Sequence, residues 1–173
     1  MKVAILIEEL VEDAEFIYPY YRFKEEGFDV DVLSLEIKTF KGKKGCTFKS
    51  QKSIKDVDPE YYDILFIPGG YAPDRLRRYP KVLNFVRRLN ELGKIIGAVC
   101  HGPWVLISAG IIKNKKVTGY HAIKDDIENA GAIYTGKKVE SDGNIFTGTD
   151  PDAMPELLKM IIKEGKKHKS QPF

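Results

Sequence analysis

Several features that define large classes of proteins are scarce or missing in this sequence. The 173 residues include only two cysteines, Cys46 and Cys100, which are too few for a disulfide framework. No apolar run approaches the roughly 18 residues of a membrane-spanning helix, and the short run at the N-terminus ends at two glutamates. We therefore expect a cytoplasmic protein with free thiols, without a signal peptide or membrane anchor.

Patterns typical of metal and nucleotide sites are also missing. The three histidines, His101, His121 and His168, are far apart, and no Cys-x-x-Cys or His-x-x-x-His spacing occurs. The first apolar run continues as EELVEDAEF, without the glycines of a phosphate loop or a dinucleotide fingerprint. We therefore predict no metal site and no nucleotide cofactor.

The charge is nearly balanced. The formal net charge is +3, and this excess comes from lysines close to the C-terminus, at positions 163, 166, 167 and 169. A nucleic-acid-binding domain is expected to carry a basic face within its fold, so nucleic acid is not an expected partner. The length fits one domain over residues 1–173, and we expect a basic, flexible tail from about residue 165.

Strand-like and helix-like patterns alternate along the chain. Short apolar or alternating runs predict strands at 2–7, 28–33, 63–68 and 95–99. Helical spacing of apolar residues predicts helices at 13–26, 81–92, 103–108, 122–129 and 155–164. The charged segment 41–52 contains two glycines and predicts an exposed hairpin or insertion.

Glycine ends four of the helix-like segments, at positions 27, 93, 110 and 131, where a left-handed residue terminates a helix without a Cβ clash. Strands that alternate with helices through such short connections require crossovers, which place the strands parallel and cover both faces of the sheet. The predicted class is therefore α/β, a doubly wound and mostly parallel sheet with helices on both faces.

Ligands of such sheets bind at the carboxyl ends of the strands, where three loops of this chain stand out. They are the acidic segment 8–13, the turn at Gly69 and Gly70, and the Cys100-His101-Gly102 segment. Cys100 falls between a buried strand and a helix start, as in a nucleophile elbow, and the helix N-terminus is expected to lower the pKa of its thiol. The alternative is a small cysteine packed in the core.

The neighbours of Cys100 allow more than one interpretation. The imidazole of His101 is either a base for the thiol or a packing group, and its backbone N–H could form an oxyanion hole with that of Gly70. The turn at Gly69 and Gly70 is otherwise an ordinary loop. Glu12, or a neighbour in the first loop, could place a carboxyl beside the sulfur, although spacing alone favours a solvated acidic loop or carboxylates in the first turn of a helix. The other acidic residues of this loop are Glu8, Glu9, Asp13 and Glu15.

Four segments, 1–27, 63–77, 95–110 and 116–131, resemble the PfpI family of intracellular cysteine peptidases, within the class I glutamine amidotransferase-like superfamily and related to protein deglycases. The resemblance rests on VCHGP, an upstream PGG and the acidic first loop, and it runs nearly end to end. It implies a flavodoxin-like fold, dimers or hexamers, and no metal or organic cofactor.

The resemblance also implies roles for individual residues. It makes Cys100 the nucleophile, His101 the base and Glu12 the carboxyl that bonds the thiolate, and it places Tyr120 in the lining of the site. In peptidase members a carboxylate from a neighbouring subunit completes the triad, which implies that role for Asp74. Members commonly have glutamate there, and the shorter aspartate puts peptidase activity in doubt.

Three functions follow as hypotheses. The first is a PfpI-type cysteine peptidase, in which the thiolate attacks a peptide carbonyl. The second is a glyoxalase or protein deglycase, in which Cys100 attacks a small aldehyde such as methylglyoxal. The third is a stress-response chaperone or redox sensor, in which Cys100 is oxidised without turnover.

Overall fold

A seven-stranded sheet is the centre of the computed structural model, which describes residues 1–170. The strands are β1 (Lys2–Leu6), β2 (Asp29–Ser34), β3 (Thr39–Lys41), β4 (Thr47–Lys49), β5 (Lys52–Ser53), β6 (Ile64–Ile67), β7 (Ile95–Val99), β8 (Lys116–Val117), β9 (Ile133–Tyr134), β10 (Val139–Asp142) and β11 (Ile145–Gly148). The helices are α1 (Asp13–Glu25), α2 (Ala72–Leu76), α3 (Pro80–Glu91), α4 (Pro103–Ala109), α5 (Lys124–Asn129) and α6 (Met154–Ser170).

The central sheet has the strand order β10-β11-β7-β6-β1-β2-β5. All of its pairings are parallel except that of β10 with β11, which is an antiparallel hairpin at one edge. The carboxyl ends of β1, β6 and β7 therefore lie side by side in the middle of the sheet. This order brings together the three loops that carry the candidate site residues.

Two apolar clusters cover the two faces of the sheet. Alternate residues of β1 divide between them: Ala4 and Leu6 pack with α3, α4 and α5, and Val3 and Ile5 pack with α1 and α6. Because both faces are covered, the middle strands are apolar on both sides. The predicted α/β class is confirmed.

Several local predictions can be compared with the structure. All four glycines at helix ends, positions 27, 93, 110 and 131, have positive φ. The charged segment forms the antiparallel hairpin of β3 and β4. Helix α6 continues to Ser170, and Lys166 pairs with Glu26, the residue after α1. The flexibility of the tail from about residue 165 stays a prediction. Residues 171–173 lie outside the described part of the chain.

The sequence patterns do not predict the short strands in the C-terminal half of the chain. Strands β8 and β9 have two residues each and β10 and β11 four each, too short for a periodicity to stand out. No helix within residues 1–170 has the length and apolarity that crossing a membrane requires.

Candidate active site

Cys100 sits at a sharp turn between β7 and α4. Its φ is +59°, a left-handed value that is unusual for a residue with a side chain. The Cys100 N–H donates to the carbonyl of Gly148 at 3.0 Å, and the Gly102 N–H donates to Val99 at 2.8 Å, which holds the turn in place. A Cβ at Gly102 would lie 2.6 Å from the carbonyl oxygen of Ile67, so the turn requires glycine there. This is the strand-to-helix elbow that the sequence predicted.

Donors surround the sulfur of Cys100. The Nδ1 atom of His101 lies 3.2 Å from Sγ, and the backbone N–H groups of His101 and Gly70 act to lower the pKa of the thiol. Gly70 has φ of +76°, and a Cβ there would lie 2.5 Å from the carbonyl oxygen of Leu10. The backbone of this turn beside Cys100 therefore requires glycine at position 70.

The carboxyl beside the thiol belongs to Glu15. Its side chain is fully buried, its Oε2 accepts the Gly69 N–H at 2.7 Å, and the carboxyl lies beside the Cys100 thiol, whose pKa it raises. Its Oε1 is buried without a hydrogen-bond partner. The contact that the resemblance implied for Glu12 is thus made by Glu15, which lies three residues further on, on the same face of the first turn of α1.

Glu12 occupies a different part of the same cavity. Its carboxylate lies 3.5 Å from the Nζ atoms of both Lys43 and Lys44, which the β3–β4 hairpin brings over the site. Asp13 anchors that hairpin by accepting the backbone N–H groups of Lys44 at 2.7 Å and Cys46 at 2.9 Å. The loop is not solvated, since Glu8, Glu12, Asp13 and Glu15 are all buried. The alternative from spacing holds for Asp13 and Glu15, which are carboxylates in the first turn of α1.

Burial changes the ionisation of the thiol and its carboxyl. It raises the pKa of Glu15 to about 7, against the opposing hydrogen bond from the Gly69 N–H. Burial and the Glu15 carboxylate also raise the pKa of Cys100, to about 12. The predicted lowering of the thiol pKa by the helix N-terminus is thus outweighed. Near neutral pH Glu15 lies close to the midpoint of its titration and can take up the thiol proton.

His101 is held between two aromatic rings. Trp104 meets the imidazole edge-on with centroids 4.9 Å apart, and Tyr120 stacks on it at 5.1 Å. Burial lowers the pKa of His101, helped by Lys43 and His121 and opposed by Asp126. The imidazole is therefore mainly neutral near pH 7, with Nδ1 beside the sulfur.

The sulfur opens into a small cavity of about 310 Å³. Its lining includes six side chains that differ in charge and size: Glu12, Lys43, Tyr71, Trp104, Tyr120 and Asp150. Tyr120, which the sequence analysis placed in the lining, also donates its backbone N–H to the carbonyl of Cys100 at 2.9 Å. Among residues 1–170, no cluster of three or more histidine, cysteine, aspartate or glutamate side chains has the arrangement of a metal site.

Asp74 lies apart from this cavity within the chain. It is on α2, is half exposed, and forms an ion pair with Arg78. Its contact with His101 of a neighbouring subunit stays a prediction.

Comparison with known proteins places the chain in one family. A model of the DJ-1/PfpI family matches residues 1–164. A Pyrococcus horikoshii protein named as a deglycase is 40% identical over 163 residues, which are 94% of this chain and 98% of that protein. The Bacillus subtilis protein "Putative cysteine protease YraA" is 40% identical over 152 residues, covering 87% of this chain and 90% of that one.

A solved structure agrees with these sequence matches. The chain superposes with a TM-score of 0.93 and 40% identity on an Anabaena variabilis protein with a DJ-1/ThiJ/PfpI-like and a ferritin-like domain. The superposition covers 94% of this chain and 47% of that two-domain protein.

Proposed function

The chain belongs to the DJ-1/PfpI family, and from this membership and its site we propose that it is a cysteine-dependent glyoxalase or deglycase. In this proposal Cys100 is the nucleophile, Glu15 moves protons, and the substrates are small reactive aldehydes or their adducts with amines. The observation that carries the proposal is the buried Glu15 carboxyl beside the Cys100 thiol, where both groups adjoin Gly69 and burial raises the pKa of the carboxyl.

The ionisation of Glu15 suits a proton carrier. A base works best when its pKa lies near the operating pH, and burial raises the pKa of Glu15 to about 7. The carboxylate therefore accepts the thiol proton as the sulfur attacks, which avoids the need for a thiolate in the resting site. The backbone N–H groups of Gly70 and His101 stand beside the sulfur, where they can stabilise the oxygen that becomes negative.

The proposed reaction balances without a cofactor. Addition of the sulfur to the aldehyde carbon of methylglyoxal forms a carbon–sulfur bond, and the carbonyl oxygen receives the proton that Glu15 took from the thiol. The remaining proton on that carbon then moves to the ketone carbon through an enediol, and the hydroxyl proton moves to the ketone oxygen, which gives a thioester of lactate. Water then hydrolyses the thioester to lactate and restores the thiol. With an amine adduct, the amine is the group released.

The size of the cavity also favours a small substrate. A volume of about 310 Å³ is at the lower end of ligand sites, which typically measure about 300–1,000 Å³. A three-carbon aldehyde, or one modified side chain, fits such a volume more readily than an extended peptide.

Peptide hydrolysis is the second candidate, because the N–H groups of Gly70 and His101 also form a suitable oxyanion hole for a peptide carbonyl. It further needs a carboxylate that orients His101, and Asp74 within its own chain is paired with Arg78. Peptidase activity would therefore depend on assembly into the dimers or hexamers that the sequence analysis predicted.

The test compares both reactions in the same preparations. Wild-type protein should convert methylglyoxal to lactate, Cys100→Ala should not, and Glu15→Gln should lose about 100-fold or more of the rate. Cys46→Ala is the control, since Cys46 is exposed on the hairpin and is not among the residues that line the cavity.

Two other outcomes would redirect the assignment. Cleavage of a fluorogenic peptide without lactate formation, abolished by Asp74→Ala, would favour the peptidase. Absence of both reactions, with reversible oxidation of Cys100, would favour the sensor hypothesis, although burial and the raised pKa of the thiol argue against a readily oxidised site.

A further inference from the structure

The indole of Trp104 connects the candidate site to a helix outside it. Trp104 lies in the first turn of α4, with its ring edge-on to the imidazole of His101 at 4.9 Å. Its Nε1–H donates to the Asp126 carboxylate on α5 at 2.9 Å. The guanidinium of Arg77 lies over the same indole at 5.3 Å and is itself fixed by Ser108, whose Oγ accepts its Nε–H at 2.9 Å.

The orientation of His101 depends on this packing. Within residues 1–170, the hydrogen-bond partner of the imidazole is the Cys100 thiol, 3.2 Å from Nδ1. In a catalytic triad, the third member fixes the other ring nitrogen of the histidine. Within the described chain, no carboxylate or carbonyl does this for His101. The rings of Trp104 and Tyr120 on either side must therefore keep Nδ1 directed at the sulfur.

We propose that Asp126 is a positioning residue for His101, holding the Trp104 indole against the imidazole so that Nδ1 stays directed at the Cys100 thiol. This proposal goes beyond the proposed function, since it concerns how the thiol and imidazole are arranged before any substrate binds. It also assigns an orienting role to a carboxylate of the same chain, independent of assembly through Asp74.

The charges around His101 fit this arrangement. Lys43 on the hairpin and His121, which follows Tyr120, both disfavour the imidazolium form of His101. Asp126 is the acidic group that opposes them. Asp125 precedes Asp126 on the same short helix and is exposed. Asp125 therefore provides a matched control for loss of one negative charge from α5.

The experiment measures the thiol directly, so it does not depend on the substrate being known. Native protein is alkylated with iodoacetamide over a range of pH, and mass spectrometry follows Cys100 relative to Cys46 as an internal reference. Proton NMR follows the titration of His101 in the same samples. The variants are Asp126→Ala, Asp126→Asn, Trp104→Phe and Asp125→Ala.

Asp126→Ala should lower the Cys100 to Cys46 ratio by about fivefold near neutral pH, since it removes the hydrogen bond that fixes the indole. Trp104→Phe, which removes the same donor, should do likewise. Asp126→Asn keeps an acceptor for the indole and should stay within about twofold of wild type in this ratio, because the hydrogen bond persists. The pKa of His101 should fall in both Asp126 variants, where the opposing carboxylate is lost, and stay unchanged in Asp125→Ala.

Two results would overturn the proposal. One is a wild-type Cys100 to Cys46 ratio in Asp126→Ala. The other is an equal fall of the ratio in Asp126→Asn and Asp126→Ala. The charge of Asp126 alone would then act on His101, and its hydrogen bond to the Trp104 indole would have no effect. A general loss of folding would expose Cys100, whereas Cys46 is already exposed, so it would raise the ratio and differs from the expected fall.

Discussion

Replacing Glu15 by glutamine should stabilise the fold while removing activity. The Glu15 carboxyl is fully buried and accepts the Gly69 N–H at 2.7 Å. Glutamine has nearly the same shape, its amide oxygen can still accept that N–H, and its amide nitrogen can donate to the Cys100 sulfur. The substitution therefore changes the charge and the proton exchange of this group and leaves its packing almost unchanged.

The size of the effect follows from the pKa of Glu15. The pKa of a glutamate side chain exposed to water is 4.5, and that of Glu15 in the fold is about 7. A shift of about 2.5 units corresponds to about 3 kcal/mol in the free energy of unfolding, at about 1.4 kcal/mol per unit. Because the folded state holds the proton more tightly, this stabilisation is complete below about pH 4.5 and is lost as the pH rises through about 7.

The measurement is urea unfolding of wild type and Glu15→Gln near pH 5 and near pH 8. The free energy of unfolding of the variant, relative to wild type, should increase by up to about 3 kcal/mol between the two conditions. Glu12→Gln is the matched control, since it removes the same charge from the same cavity without contacting the thiol. A constant difference between Glu15→Gln and wild type across this range would refute the account of a buried carboxyl with a raised pKa.

Three other predictions concern activity. The kcat/KM of the wild type for methylglyoxal should fall as the pH drops below about 7, because protonated Glu15 cannot accept the thiol proton. The residual rate of Glu15→Gln should not show this fall with pH. A wild-type profile without the fall would exclude Glu15 as the base. Gly69→Ala should lose about tenfold or more in kcat/KM, since its Cβ would lie 2.5 Å from Oε2 of Glu15 and 2.8 Å from the Cβ of Cys100; unchanged kinetics would show that the pair tolerates displacement. Asp74→Ala should keep aldehyde turnover and lose any peptidase activity, and loss of both, measured with light scattering to monitor assembly, would contradict the separation of the two reactions.

Much of the fold could be predicted from the sequence because its signals are local. Buried parallel strands are apolar on both faces, so β1, β6 and β7 are visible as short continuous runs. The four helix-ending glycines mark backbone with positive φ. Strands β10 and β11 were missed because they are stabilised by pairing with each other and with β7, which a local pattern does not reveal.

The site was only partly predictable, for a different reason. The elbow at Cys100 has a local signature, with a strand before it and Gly102 and Pro103 after it. The ionisation of the thiol depends on burial and on Glu15, which come from tertiary structure and reverse the direction expected from the helix N-terminus alone.

The assignment of the carboxyl shows where spacing alone fails. Glu12 and Glu15 are three residues apart at the start of α1, so both project toward the same side of the helix, and sequence spacing does not say which reaches the sulfur. The deciding feature is Gly69, where the missing side chain leaves the space that the Glu15 carboxyl occupies beside Cys100. The position of the carboxyl beside Cys100 therefore depends on both Gly69, which follows β6, and Glu15, in the first turn of α1. Exchange of either residue should disrupt the same contact, so the effects of Gly69→Ala and Glu15→Gln on kcat/KM should be far from additive.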